Sequence, residues 1–262
     1  MWPVLLLIAV HAPLLAGLVR QWSADPDMSH GFFVLPVVAV VVWRRRAELA
    51  ALQPPPNWWG LAIAAWGAAQ MLVGTLAAQI FIARTAFLVS LVGVVLFLGG
   101  TRALRILAFP LLLMLFLFPI PAILYAHITL PLQIFASATA EAALNWIGIP
   151  VLRDGNILEL PHERLSVVEA CSGIRSLLSL AFLSLVYAYF FDGRVAMRWV
   201  LLAATVPIAI AANAVRVTLM GLLGEYRTDL AQGVFHLFEG WVLFVVALGL
   251  LVTVHRCLID QR

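Results

Sequence analysis

Apolar residues run through this chain in long blocks, and polar residues are confined to short intervals between them. An α-helix needs about 20 consecutive apolar residues to cross the hydrocarbon core of a bilayer. Eight such blocks are read at Trp2–Val19, Gly31–Trp43, Trp58–Ala78, Thr85–Leu98, Ile106–Tyr125, Ser172–Phe191, Trp199–Val217 and Leu237–Val254. The second and fourth are short and are expected to extend into their flanks. The alternating apolar and polar positions of an outer-membrane strand do not recur. The pattern therefore predicts an all-α, polytopic membrane protein with about eight transmembrane helices, organised as one integral-membrane domain over residues 1–262.

The longest polar interval runs from Pro119 to Ala170. It opens with "FPIPAILY", whose closely spaced prolines predict a bend at the membrane surface. Pro131 to Trp146 then reads as a moderately amphipathic helix that lies on the membrane or re-enters it. The Asp154-Gly155 step, flanked by β-branched residues and leucines, predicts a small hairpin before the sixth span.

Composition sharpens the class. Hydrophobic residues make up 64% of the chain and charged residues 11%, with a mean hydropathy of +1.04. A soluble domain carries about 25% charged residues. All 16 basic residues are arginine. The net charge of +3 does not point to nucleic acid, because the arginines sit at the ends of apolar blocks and form no basic face with aromatics. Two cysteines build no disulfide framework, and no zinc-type Cys/His spacing occurs, so neither metal nor cofactor is expected. Met1–Val19 lacks a basic leader and an obvious cleavage site and reads as a retained helix.

Arginine placement orients the threading. Arg44, Arg45, Arg46, Arg102, Arg105, Arg194, Arg198, Arg256 and Arg262 fall on one side of the eight spans. The other side holds fewer arginines and most of the acidic residues. Both termini are therefore expected in the cytoplasm, with Pro119–Ala170 outside.

This threading brings three chemically useful residues to one depth. Cys171 precedes the sixth span at its outer end. Arg216 lies 17 positions beyond Trp199, about 25 Å along a helix entering from the inner face. His236 immediately precedes the eighth span, again at its outer end. Each alone has an ordinary explanation: a cysteine is often a small hydrophobe, and an arginine near a span end often snorkels to the headgroups. Together they supply a nucleophile, an acid/base and a fixed cation, the parts of cysteine acyl transfer. Histidine or arginine nearby favours the thiolate, and the start of the sixth helix adds a positive dipole end. The histidine would carry the proton to the leaving amine, and the arginine would hold the oxyanion or the thiolate.

Other residues surround these three. Asn213 lies one turn before Arg216 on the same helix face. Arg175 lies four positions beyond Cys171 and is expected one turn deeper and buried. It is read either as a contact for a substrate carboxylate or as a partner for Glu169 or Glu239. Ser172 and Gly173 supply small residues and backbone N–H groups beside the thiol, or simply permit close packing. His30 is read as bracing the fold. Cys257 falls on the opposite side from Cys171 and is assigned no role.

Four stretches carry a resemblance: "DMSHGFFVLPVVAVVVWRRR" (Asp27 to Arg46), "LPHERLSVVEACSGIRSLLSL" (Leu160 to Leu180), "PIAIAANAVRVTLMG" (Pro207 to Gly221) and "FHLFEGW" (Phe235 to Trp241). In order and spacing they resemble the exosortases, integral-membrane cysteine enzymes related to archaeosortases. The resemblance implies a catalytic set of Cys171, Arg216 and His236. It also implies processing of exported proteins that bear a C-terminal sorting tail, made of a Pro-Glu-Pro-like motif, one transmembrane helix and a basic end. The implied setting is the inner membrane of an exopolysaccharide-producing Gram-negative bacterium, with the site facing the periplasm. Archaeosortases tend to carry arginine where this chain has His236, so the histidine favours the bacterial branch. No extra soluble domain follows the eighth span, which leaves the subtype open.

Residue types alone do not separate transpeptidation from hydrolysis, because both pass through an acyl-enzyme. Nor do they set the acceptor or the oligomeric state. A transporter or lipid flippase is the rival of a different class. Against it, no pair of Gly/Pro-broken half-spans is evident, which is the usual sequence mark of a carrier. A polysaccharide acyltransferase is disfavoured by the lack of a His-Asp motif of that type.

Overall fold

The computed structural model describes residues 2–167, 174–226 and 234–260, the side chains of 234–239 excepted. Among these, eight helices are long and apolar enough to cross a membrane. Their apolar side chains face outward as well as inward: Phe33, Trp66, Leu72 and Val245 are all exposed. In lipid, only structures that satisfy their own backbone hydrogen bonds are viable across the core, which is why such a sequence becomes helical. The chain forms two compact units, Met1–Pro121 and Ala122–Arg262.

In the first unit, α1 (Trp2–Ala24) leads through a 3-10 turn at Pro26–Met28 into α2 (Gly31–Arg44). The Asp25 carboxylate caps that turn by accepting from Asp27 N–H at 2.9 Å. A short α3 (Arg46–Ala50) and a Pro54–Pro56 stretch precede α4 (Trp58–Leu76), capped by Asn57 accepting from Trp59 N–H at 3.1 Å. α5 (Ile80–Leu113) follows, with a 3-10 turn at Met114–Leu117. Asp27 and His30, from the first of the resemblance stretches, lie at the α1–α2 junction. There a His30 ring nitrogen hydrogen-bonds Phe116 O at 3.1 Å. The expectation that His30 braces the fold agrees with this contact.

α5 is not one straight rod. Arg84 near its start donates to Gln21, while Trp22 donates its indole N–H to Leu117 O at 3.1 Å. Adjacent residues of α1 thus hold points 33 positions apart, which a straight helix would separate by about 50 Å. The chain doubles back at Gly100, whose φ of 63° and ψ of −168° leave helical space. A side chain there would be strained, so glycine is required. The two arms correspond to the fourth and fifth spans read from sequence. The second arm stops sooner than expected, at Phe118–Pro121, because Pro119 and Pro121 lack the N–H groups needed to continue. Ala122–Tyr125 belong to the next helix.

α4 packs against the first arm of α5 through Gly60, Gly67 and Gly74, seven residues apart and all buried. A Cβ at Gly60 would lie 2.2 Å from Phe97 N, one at Gly67 2.3 Å from Ser90 Oγ, and one at Gly74 2.6 Å from Ala83 N. Small residues let two backbones touch, and in lipid that van der Waals contact is the main force joining helices. Gly67→Leu is expected to destabilise the unit by about 1–3 kcal/mol or more. The melting temperature of the detergent-solubilised protein should fall. Gly249→Leu is the control, because a Cβ at Gly249 meets nothing within 4 Å.

In the second unit, α6 (Ala122–Ile147) leads into three short antiparallel strands: β1 (Leu152–Asp154), β2 (Ile157–Glu159) and β3 (Arg164–Ser166). The expected hairpin is present, with Asp154 opposite Ile157 and Gly155 at φ 63° in the two-residue turn. β3 extends it to a three-stranded meander. The helix expected over Pro131–Trp146 is present but longer, and its 26 residues are enough to cross a membrane.

The meander is seated by Leu158, Leu165 and Val167 on Ala136 and Ala140 of α6. The same cluster includes Val217 and Met220 of α8 (Val195–Tyr226), the long helix after α7 (Ile174–Phe191). Leu144 of α6 meets Gly221 of α8, and Leu132 shares a small void with Asn213. α6 therefore runs alongside the second half of α8, in the same direction. α9 (Val234–Asp260) completes the unit. Leu180, Ala209 and Ala247 join α7, α8 and α9 in one cluster, and Ala188, Leu201 and Leu251 join them in another further along.

Candidate active site

α7 and α8 form an antiparallel pair joined by the three-residue turn Asp192–Arg194. α9 lies against both. Hence the start of α7, the second half of α8 and the start of α9 share one end of the unit.

At that end a narrow cleft is lined by Ser176 and Leu180 of α7, Asn213 and Arg216 of α8, and Gly240 and Phe244 of α9. Its free space is about 10 Å³, the room of roughly one water. Asn213 is buried. Arg216 is half-buried, and its Nε is buried with no hydrogen-bond partner among the described residues. An unpaired guanidinium N–H is costly inside a membrane protein, and ionisable groups at such depth mark functional positions by default.

Gly240 explains how Arg216 fits. A Cβ on Gly240 would lie 3.5 Å from Arg216 Nη2 and 3.7 Å from Cζ. The guanidinium rests against the α9 backbone where no side chain stands. His236 is four positions earlier on α9, about one turn toward the helix start. Ser176, which lines the cleft, is five positions after Cys171. Cys171, Ser172, Gly173 and Glu169 lie outside the described residues, as do the side chains of His236 and Glu239.

Arg175 departs from expectation. It is exposed, whereas the four-residue spacing from Cys171 had suggested a buried position one turn deeper. α7 turns Ser176 toward the cleft instead, and adjacent helix positions point about 100° apart. Sequence reading did not single out Ser176 or Gly240. The signal available for Gly240 was its place one turn after His236.

A family profile described as transmembrane exosortase matches residues 22–253 of the chain. The chain belongs to the exosortase family. Membership carries, in general terms, the role of a membrane protease or transpeptidase acting on proteins with C-terminal sorting signals. No curated protein and no solved structure matches the chain. In this exosortase the matched region takes in Asn213, Arg216 and Gly240 together with Cys171 and His236.

The opposite end of the same exosortase helices holds a second polar group. Asp192 accepts from Arg194 at Nη2 (2.6 Å) and Nε (2.9 Å) and from the Arg194 backbone N–H (2.8 Å). His255 of α9 bonds Asp192 through Nε2 at 3.1 Å and the Tyr187 hydroxyl through Nδ1 at 2.9 Å. The Arg194 hydrogen bonds hold the Asp192 carboxyl well below the usual carboxylate range, against the opposing effect of burial. A depressed carboxyl stabilises the fold above its unfolded value and loses that effect only as pH falls through its folded value. The Asp192 carboxylate therefore stays ionised, and available as an acceptor for His255, through neutral and mildly acidic pH. It ties α9 to the α7–α8 turn and so helps set the register that brings Gly240 to Arg216.

Proposed function

We propose that this exosortase is a cysteine peptidase or transpeptidase that cleaves the C-terminal sorting tail of exported proteins. Cys171 attacks a peptide carbonyl and forms an acyl-enzyme. His236 gives a proton to the leaving amine and later takes one from the incoming nucleophile. Arg216 stabilises the oxyanion or the thiolate. Asn213 supports Arg216 from one turn away, and Ser172, Gly173 and Glu239 stand around the reacting groups. The tail is recognised by a Pro-Glu-Pro-type motif followed by a transmembrane helix and a basic end, with Arg175 a candidate contact for its carboxylate.

The protein would sit in the bacterial inner membrane, as the family resemblance implies, and the arginine bias supports both termini being cytoplasmic and the site facing the periplasm. The observation that supports this reading best is Arg216: a guanidinium whose buried Nε has no partner among the described residues, seated in a cleft against the α9 backbone at Gly240, one turn after His236 in sequence.

Co-expression with an exported protein bearing such a tail tests the reading. A size shift with loss of the tail is expected, and mass spectrometry of the new C-terminus divides the two outcomes. A free carboxylate means hydrolysis, and an added group means transfer. An uncleaved tail at normal enzyme level would reject the assignment.

A further inference from the structure

The Met1–Pro121 unit carries a second cleft, far wider than the first, that the peptidase reading does not use. It has a free volume of about 680 Å³ and is walled by Gln53–Trp59 on one side and Gly99–Arg102 on the other. Its rigid wall is the Pro54–Pro56 stretch, held to the turn at Gly100 by Asn57 N–H donating to Phe97 O at 3.1 Å. Gly99 and Gly100 leave part of the opposite wall bare of side chains, beside Thr101 and Arg102.

This is the arginine-rich end of the unit, where α2 ends and α4 begins. Arg45 is engaged by Glu48 at 2.6 Å, and Arg46 lies over the Trp43 ring at 4.4 Å. Arg102 and Arg105, one turn apart on the second arm of α5, are both exposed. Neither has a hydrogen bond or ion pair among the described residues. Thr101 places a hydroxyl beside Arg102. Trp58 and Trp59, 71% and 78% exposed, stand at the rim, as interfacial tryptophans do at headgroup level.

We propose that this cleft binds the phosphodiester headgroup of an anionic phospholipid. Arg102 and the Thr101 hydroxyl would donate to the phosphate oxygens, Arg105 would add a second positive charge, and the two tryptophans would flank the glycerol region. A guanidinium pairs well with phosphate geometry, and basic pockets between transmembrane helices suit such headgroups. The volume matches a headgroup rather than a bare ion, and exposed tryptophans at the rim suit the headgroup level of a bilayer. The site is independent of the catalytic one and carries no chemistry.

Native mass spectrometry of the purified full-length protein tests it, with phosphatidylglycerol, phosphatidylcholine and inorganic phosphate as probes. Phosphatidylglycerol should be retained in preference to phosphatidylcholine, and inorganic phosphate should not displace it. Arg102→Gln should lower retention about fivefold, and Arg102→Gln with Arg105→Gln roughly 25-fold. Arg20→Gln, at the other end of the unit, should leave retention unchanged. Equal retention of both lipids by the unaltered protein would overturn the proposal without recourse to any variant. Displacement by inorganic phosphate would make the site one for a free anion and reject the lipid. An equal loss in Arg20→Gln would reduce the effect to overall charge.

Discussion

Replacing Cys171 by alanine is expected to abolish tail processing while the protein still inserts at its normal level. In another acyl-transfer enzyme, loss of the nucleophile costs on the order of 10⁶ in kcat. Insertion should survive, because a cysteine not engaged in chemistry packs as a small hydrophobe close to alanine. Cys171→Ser should also be inactive, since a hydroxyl without thiolate character is a far weaker nucleophile. Cys257→Ala is the internal control. Cys257 lies 17 residues along α9 from Gly240, about 25 Å toward the other end of the helix, and is exposed there. The same pair of cysteines reports sidedness. A membrane-impermeant maleimide applied to spheroplasts should label Cys171, and Cys257 only after permeabilisation. Activity lost in Cys257→Ala and kept in Cys171→Ala would overturn the nucleophile assignment.

The second large effect is expected at Arg216. If the residue only carried its charge to the headgroups, lysine would replace it with little loss, since both stems snorkel. The structure argues for more than charge. The guanidinium is wedged against the bare backbone at Gly240, and its Nε points where no described residue accepts a bond. Lysine presents one compact ammonium and cannot reproduce a planar fork with a second donor. Removal of an oxyanion donor costs about 10²–10³ in rate in other acyl-transfer enzymes. Arg216→Lys should therefore accumulate unprocessed substrate, and Arg216→Ala should be at least as severe. Arg20→Lys should be near neutral. The measurement is the ratio of processed to unprocessed protein over time, normalised to enzyme in the membrane. Near-wild-type processing by Arg216→Lys would reduce Arg216 to a charge anchor.

Some of the fold was legible because single residues carry local signals. Asp154-Gly155 marks a turn by backbone preference alone, and the closely spaced Pro119 and Pro121 signalled a bend, although the fifth span was expected to run past them to Tyr125. The doubling back at Gly100 was implied by splitting one apolar stretch into two spans, although nothing local said that α5 would stay helical up to the glycine on both sides. Other features needed neighbours far along the chain. The burial of Gly60, Gly67 and Gly74 has meaning only against Phe97 and Gly93, Ser90, and Ala83 respectively. Their seven-residue spacing is silent until α4 meets α5. β3 was missed because three residues pair only when a hairpin edge is already held in place.

The sequence by itself determined the class of this protein and which reactive residue types stand near its span ends. Apolar blocks of bilayer length, arginines at their ends, and Cys171, Arg216 and His236 near three span ends are all one-dimensional facts. The tertiary structure decided which way those helices face. Rotation of a helix is set by the surface it packs on, and a one-residue step turns a side chain through about 100°. That is why Arg175 proved exposed while Ser176 lines the cleft, why α6 runs beside α8, and why Gly240 is the residue that gives the Arg216 guanidinium its seat.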